Sequence, residues 1–398
     1  MADYAFAVSD IEKNKKDGVI ELKVGIMSMQ RIENYGSFLQ AYSLRQMLEE
    51  LGHEVVFVDY EVEPCIVKAP NLPVPPQRPI WYRAARKLYY ILLDAIHTFD
   101  GEKKAIQRLE ASRLRNCYVD YIRQLGVTEV RTENIPVDVL VIGSDEVFNC
   151  LQTNPAVGFS KQLFGKDVNA GKVITYAACA GFTTVEGLQK YGILDEVSTM
   201  LSENFAHISV RDKNTFDLVE RLTGRKPETH FDPVLVADFS LQIVEKNDLT
   251  DYIVVYSYEE RMSNRIDERD VIQSFAHEHG LKTVSIGNYQ TWTDLHIPAA
   301  PFELLGYIKN AEYVITDTFH GTVFSIILEK RFATIVRESN AQKLGSLLSQ
   351  FGLSDRQVTQ LSELETVITG DIDYKNANAV RKRGREAAMK YLRTAILN

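Results

Sequence analysis

Residues 22–59 carry the strongest constraint on the fold. Leu22 to Ser28 is a short apolar run of the kind that forms a buried strand. From Ser37 to Leu51, apolar side chains fall at Phe38, Leu39, Tyr42, Leu44, Met47, Leu48 and Leu51, which is helical spacing. Ser37 is the expected N-cap and Gly52 the expected stop. Glu54 to Asp59 is a second β-branched run. Strand, helix and strand in close succession make a βαβ unit, with parallel pairing and a right-handed crossover. A chain that begins this way is committed to an α/β fold.

The same rhythm returns along the chain. Strands are expected at 137–143, 173–178, 207–211 and 231–236, then at 252–257, 281–286, 312–317 and 332–336. Helices are expected near 185–204, 212–223, 267–280, 301–309, 320–330, 341–351 and 375–396. The rhythm breaks once, at residues 62–80, where six prolines predict an extended excursion. Two helices, about 81–97 and 102–124, are expected after it. This divides the chain into a tail (1–22), an N-terminal Rossmann-like domain (23–245) with a helical insertion at about 62–130, and a C-terminal Rossmann-like domain (246–398). The last helix can pack back on the first domain. Ligands of such sheets bind beyond the carboxyl ends of the strands, and a cleft between the two domains is the expected site.

Composition excludes several classes. Lys plus Arg number 45 and Asp plus Glu 54, a net charge of −9, so a nucleic-acid partner is not expected. Four cysteines without CxxC spacing predict reduced thiols and no structural zinc. Residues 1–22 lack the apolar core of a signal peptide, and no stretch reaches the roughly 18 apolar residues of a membrane span. A cytoplasmic protein is the expectation. The amphipathic stretch from Trp81, with Arg83, Arg86 and Lys87, is compatible with peripheral contact at the inner face of a membrane. Nothing in the chain points to an oligomeric state.

Polar residues just after strands are the candidate site. Asn34, Tyr35 and Gly36 precede the first helix, where free N–H groups favour an anion or a hydroxyl-rich ligand. Gly143, Ser144, Asp145 and Asn149 follow a strongly apolar strand, and helix capping explains one of those polar groups but not three. Arg211 ends another strand and can grip a carboxylate or phosphate, or else pair locally with Asp212 or Asp217. The run from Asp317 through Thr318, Phe319, His320, Gly321 and Thr322 joins a strand to an apolar helix. His320 there can exchange protons near neutral pH, and the helix N-terminus can hold a phosphate.

Taken together, residues 34–42, 143–149, 176–181, 209–212, 232–235 and 317–321 resemble the polysaccharide pyruvyl transferase family, in the family's order, over about residues 23–340. The resemblance implies two Rossmann-like domains similar to GT-B glycosyltransferases. It also implies transfer of the pyruvyl group of phosphoenolpyruvate to a glycan or lipid-linked saccharide, with phosphate released and no metal or organic cofactor. On this reading Arg211, Thr318, His320, Gly321 and Thr322 hold the donor, with His320 as general acid or as stabiliser of the departing phosphate. Asp145 is the candidate base for the acceptor hydroxyl. Asn34, Tyr35, Gly36, Ser144 and Asn149 orient the sugar. Glu146 and Phe148 stand where the family more often has Gln and Trp, and Cys179 where it often has Ser, which bears on the acceptor. Two other readings stay open: a nucleotide-sugar-dependent glycosyltransferase of GT-B type, and a non-catalytic carbohydrate-binding relative.

Overall fold

The computed structural model of the chain describes residues 21–67, 98–127, 130–246, 248–262, 265–338 and 340–398. The expected helix at 81–97, most of the proline segment and nearly all of the expected tail lie outside the described residues. By their contacts the residues form two compact units. One holds residues up to 67, residues 122–237 and residues 381–398. The other holds described residues 98–121 and residues 238–380.

The first unit is built on four parallel strands, β1 (Lys23–Met27), β2 (Glu54–Phe57), β3 (Val137–Gly143) and β4 (Ala170–Tyr176), in the order β2-β1-β3-β4. Gly25 pairs with Leu140 and with Val56. The pattern fits a sheet covered on both faces: Val24, Ile26, Ile142 and Ile174 are all fully buried. Each such side chain contributes about 1.5–3 kcal/mol relative to exposure. A short parallel pair, β5 (Ser209–Val210) and β6 (Glu228–Thr229), is joined to the β4 side by bridges Ile174–His207 and Ala178–Val210. The helix Tyr35–Glu50 follows β1 as expected.

The second unit holds six parallel strands, β7 (Tyr252–Tyr256), β8 (Lys282–Ile286), β9 (Leu295–Ile297), β10 (Tyr313–Thr316), β11 (Phe332–Ile335) and β12 (Gln357–Val358). Their order is β12-β11-β10-β7-β8-β9. The chain starts in the middle at β7, winds outward to β9, returns beside β7 as β10 and winds outward the other way. That is the doubly wound Rossmann order. Each sheet therefore has a switch point, between β1 and β3 in the first unit and between β7 and β10 in the second. The α/β class and the Rossmann-like character of both units are as the sequence indicates.

Several elements differ from expectation. Residues 231–236 are not a strand. Pro233–Val236 is a helical turn, because Asp232 caps the Val234 N–H at 3.0 Å and Pro233 occupies the first turn. The expected helix 185–204 is two, Val185–Lys190 and Leu194–Glu203, separated at Gly192 with φ +70°. The helix Thr98–Gln124 was assigned by sequence to an insertion of the first domain, yet up to Tyr121 its contacts lie in the second unit. The Cys117 thiol donates to the Pro298 carbonyl at 3.0 Å, and the Tyr121 ring lies 5.5 Å from that of Phe302. From Arg381 the helix Lys375–Leu397 belongs to the first unit: Arg381 Nε donates to the Leu235 carbonyl and Tyr391 Oη to that of Thr175.

Candidate functional site

In the first unit the loops after β1 and β3 meet at the switch point and are tied together by side chains. Ser144 Oγ donates to Gln40 Oε1 at 2.6 Å, Gln40 Nε2 donates to Ser28 Oγ at 2.8 Å, and Ser28 Oγ donates to the Ser144 carbonyl at 3.3 Å. All three side chains are buried. Buried polar groups closed on one another in this way fix a turn rigidly. Gly143 is needed there: it has φ +126°, and a Cβ would collide with the Tyr176 carbonyl.

That closed triangle sets Asp145. Its φ is +68°, a left-handed conformation that aspartate tolerates better than most residues. Its carboxylate accepts from Ser37 Oγ at 2.7 Å and from the Glu146 N–H at 2.9 Å, and the side chain is half-buried. Both donors hold the carboxylate in one orientation. Beside it, Asn149 Nδ2 donates to Glu146 Oε2 at 2.8 Å, and Thr183 Oγ1 donates to Asn149 Oδ1 at 3.1 Å.

The other expected acceptor residues stand further back. Asn34 caps the helix Tyr35–Glu50 through the Gly36 N–H at 2.8 Å. Tyr35 is 2% exposed and Gly36 is buried. Ser144 is fully buried with its hydroxyl donated to Gln40, so it shapes the turn and does not present a hydroxyl to solvent. Asn149 is likewise buried, with its amide engaged on both sides.

Arg211 ends β5. Its side chain is 4% exposed and Nη1 donates to Asp232 Oδ2 at 2.6 Å. The local partners considered from sequence are used elsewhere: Asp212 caps the helix Lys213–Thr223 and Asp217 pairs with Lys213. Burial works against the Arg211 charge, yet Cys179, Asp232, Asp145 and Asp212 together hold its pKa well above the usual arginine value. As it stands, Arg211 places a fixed positive charge behind Asp145.

In the second unit the site lies at the ends of β7 and β10. Asp317, fully buried, accepts from Ser257 Oγ at 2.8 Å and from Arg337 Nε at 3.1 Å. Arg337 also grips Glu268 with both terminal nitrogens, which holds the arginine above its ordinary pKa despite burial. Thr318 caps the helix Phe319–Ile327 by accepting the Gly321 N–H at 2.9 Å. A Cβ on Gly321 would collide with the Thr316 hydroxyl, so only glycine lets the helix start so close to β10. Thr322 is fully buried, its hydroxyl donating to the Thr318 carbonyl at 2.9 Å. Thr318 and Thr322 thus build the helix start.

His320 sits in the first turn of that helix, half-buried, edge-on to Phe319 at 5.3 Å and tilted against Phe324 at 6.0 Å. Two cations near it were not singled out from sequence. Arg261 stacks 4.8 Å from the Tyr258 ring and donates to the Asp317 carbonyl at 3.3 Å, and Lys343 lies 4.9 Å over the Phe319 ring. A helix N-terminus with an arginine and a lysine beside it concentrates positive potential in an acidic protein. Among the described residues, no group of three or more His, Cys, Asp or Glu side chains is arranged to hold a metal ion, and no helix is long and apolar enough to cross a membrane.

The family model for polysaccharide pyruvyl transferase matches residues 34–339. No curated protein matches the chain. Solved structures with similar folds include a mutant O-GlcNAc transferase of Thermobaculum terrenum (13% identity, 96% of this chain and 65% of that one, TM-score 0.40). The chain thus spans just under two thirds of that structure's length. A UDP-GlcNAc 2-epimerase of Methanocaldococcus jannaschii is similar at 12% identity over 94% of this chain and 100% of that one, TM-score 0.47. A UDP-glucosyltransferase of Polygonum tinctorium is similar at 8% identity over 96% and 100%, TM-score 0.42.

Proposed function

The chain belongs to the polysaccharide pyruvyl transferase family, and on that footing we propose that it moves the pyruvyl group of phosphoenolpyruvate onto two hydroxyls of a saccharide. The observation that carries this reading is the helix start of the second unit, where the cations Arg261 and Lys343 and the His320 ring gather at the end of β10. A donor with a carboxylate and a phosphate suits such a place.

The balance is simple. The methylene carbon of the donor takes a proton and becomes methyl. One sugar oxygen bonds to the central carbon, the C–O bond to phosphate breaks, and a second sugar oxygen closes the ketal. Of the two hydroxyl protons, one offsets the proton taken up by the methylene and one leaves with phosphate. His320 supplies the proton or stabilises the departing phosphate. Asp145, oriented by Ser37, takes the acceptor proton. The step as written needs no metal or organic cofactor. The acceptor is a glycan or a lipid-linked saccharide, and the reaction runs in the cytoplasm, where phosphoenolpyruvate is made.

Phosphate release from phosphoenolpyruvate against a panel of glycan acceptors tests the reading. His320→Ala should lower turnover by at least about a hundredfold. Near-wild-type turnover in that variant would remove His320 from the chemistry. Tight binding of a nucleotide sugar with no response to phosphoenolpyruvate would replace the reading with glycosyl transfer.

A further inference from the structure

The turn after β4 leaves one large aromatic ring in solvent. Ala180 accepts the Thr183 N–H at 2.9 Å, which places Gly181 (φ +57°) and Phe182 at the tip. Phe182 is 61% exposed, while Ala180 and Thr183 on either side are fully buried. The turn is pinned from three directions. Asn214 Nδ2 donates to the Gly181 carbonyl at 2.9 Å and to the Thr183 carbonyl at 3.2 Å, Thr183 Oγ1 donates to Asn149, and the Gly181 N–H points at Cys179 Sγ at 3.3 Å. An exposed phenyl on a floppy loop would be unremarkable; one held on a rigid turn is preorganised for contact.

The turn that carries the ring packs against Asn149 and Glu146: a Cβ on Gly181 would collide with the Asn149 amide and would lie 2.8 Å from Glu146 Oε2. An apolar plate on a turn that abuts a carboxylate matches a pyranose, which offers a C–H face and a rim of hydroxyl donors. The negative charge of Glu146 disfavours an acidic ligand.

We propose that Phe182 is the stacking platform for a neutral pyranose ring of the acceptor, with Glu146 accepting a hydroxyl at its rim. This rests on the reading that a saccharide is the acceptor, but not on the identity of the donor.

The test omits the donor. Saturation-transfer NMR on the full chain is run with methyl β-D-glucopyranoside, methyl β-D-galactopyranoside and methyl α-D-mannopyranoside. At least one should show transfer to its ring C–H protons. Phe182→Ala should weaken that affinity roughly tenfold and Phe182→Trp should keep it within about threefold. Both variants should melt like the wild type, because the ring is exposed. No transfer from any of the three sugars, or equal affinity in wild type and Phe182→Ala, overturns the proposal. Intact sugar stacking with no turnover of phosphoenolpyruvate sinks the donor reading alone.

Discussion

Removing the Asp232 carboxylate takes from the buried Arg211 charge its partner at 2.6 Å. Asp232 is fully buried and holds Arg211 Nη1 at 2.6 Å, while its other oxygen caps Pro233–Val236. Taking one partner from a buried ion pair costs about 3–5 kcal/mol, because the surviving charge keeps its desolvation penalty. Losing the cap adds about 1 kcal/mol. Asp232→Ala should therefore sit about 4–6 kcal/mol below the wild type in the urea transition that unfolds the first unit, with a melting point roughly 10 °C or more lower. Asp232→Asn, which keeps an oxygen for the cap, should fall in between. The double variant Arg211→Met with Asp232→Leu should recover most of the loss, since an apolar pair of similar volume often replaces a buried ion pair at little cost. The same variant divides structure from chemistry. If it folds and turns over normally, Arg211 has no part in holding the donor. If Asp232→Ala unfolds within about 1 kcal/mol of the wild type, the reasoning about this buried pair is wrong.

Other outcomes are checked more briefly. His230, beside Ser209 at 2.8 Å and the Tyr391 ring at 4.6 Å, is pushed down to about 4 by burial. Its folded value lies below the unfolded one of about 6.5, so its contribution is full above that pH and is lost as pH falls toward 4. Up to about 3 kcal/mol should disappear over that window in unfolding free energy measured against pH, and His230→Phe should flatten that part of the slope. Gly321→Ala forces a methyl into buried Thr316, whose hydroxyl donates to the Tyr256 carbonyl. About 1–3 kcal/mol should be lost from the second unit, read by thermal melting; a neutral result would mean the strand-to-helix turn is looser than its contacts imply. Ser37→Ala frees one oxygen of Asp145 and should lower turnover about tenfold with no comparable change in melting, which steady-state kinetics would show.

Much of the fold is legible because strands buried on both faces leave continuous β-branched runs, as at Val137–Gly143 and Tyr252–Tyr256. What escaped was short or locally overruled. β9 and β12 span three and two residues, too few for a period to show. At 231–236 an apolar run reads as a strand, but the Asp232 cap and Pro233 turn it into a helix. The candidate positions just after strands could be picked out because topology dictates where strands end. Their partners were not: Asp232 reaches Arg211 from 21 residues away, and Gln40 reaches Ser144 from 104. Arg261 and Lys343 carry no motif; only the fold brings them to the helix that His320 begins.

Incubation of the protein with phosphoenolpyruvate and a set of glycan acceptors, followed by NMR of the product, tests the central claim most directly. The account predicts equimolar phosphate and a new methyl singlet from a pyruvate ketal, both lost in His320→Ala. Glycosyl transfer from a nucleotide sugar, with phosphoenolpyruvate untouched in its presence, would contradict it.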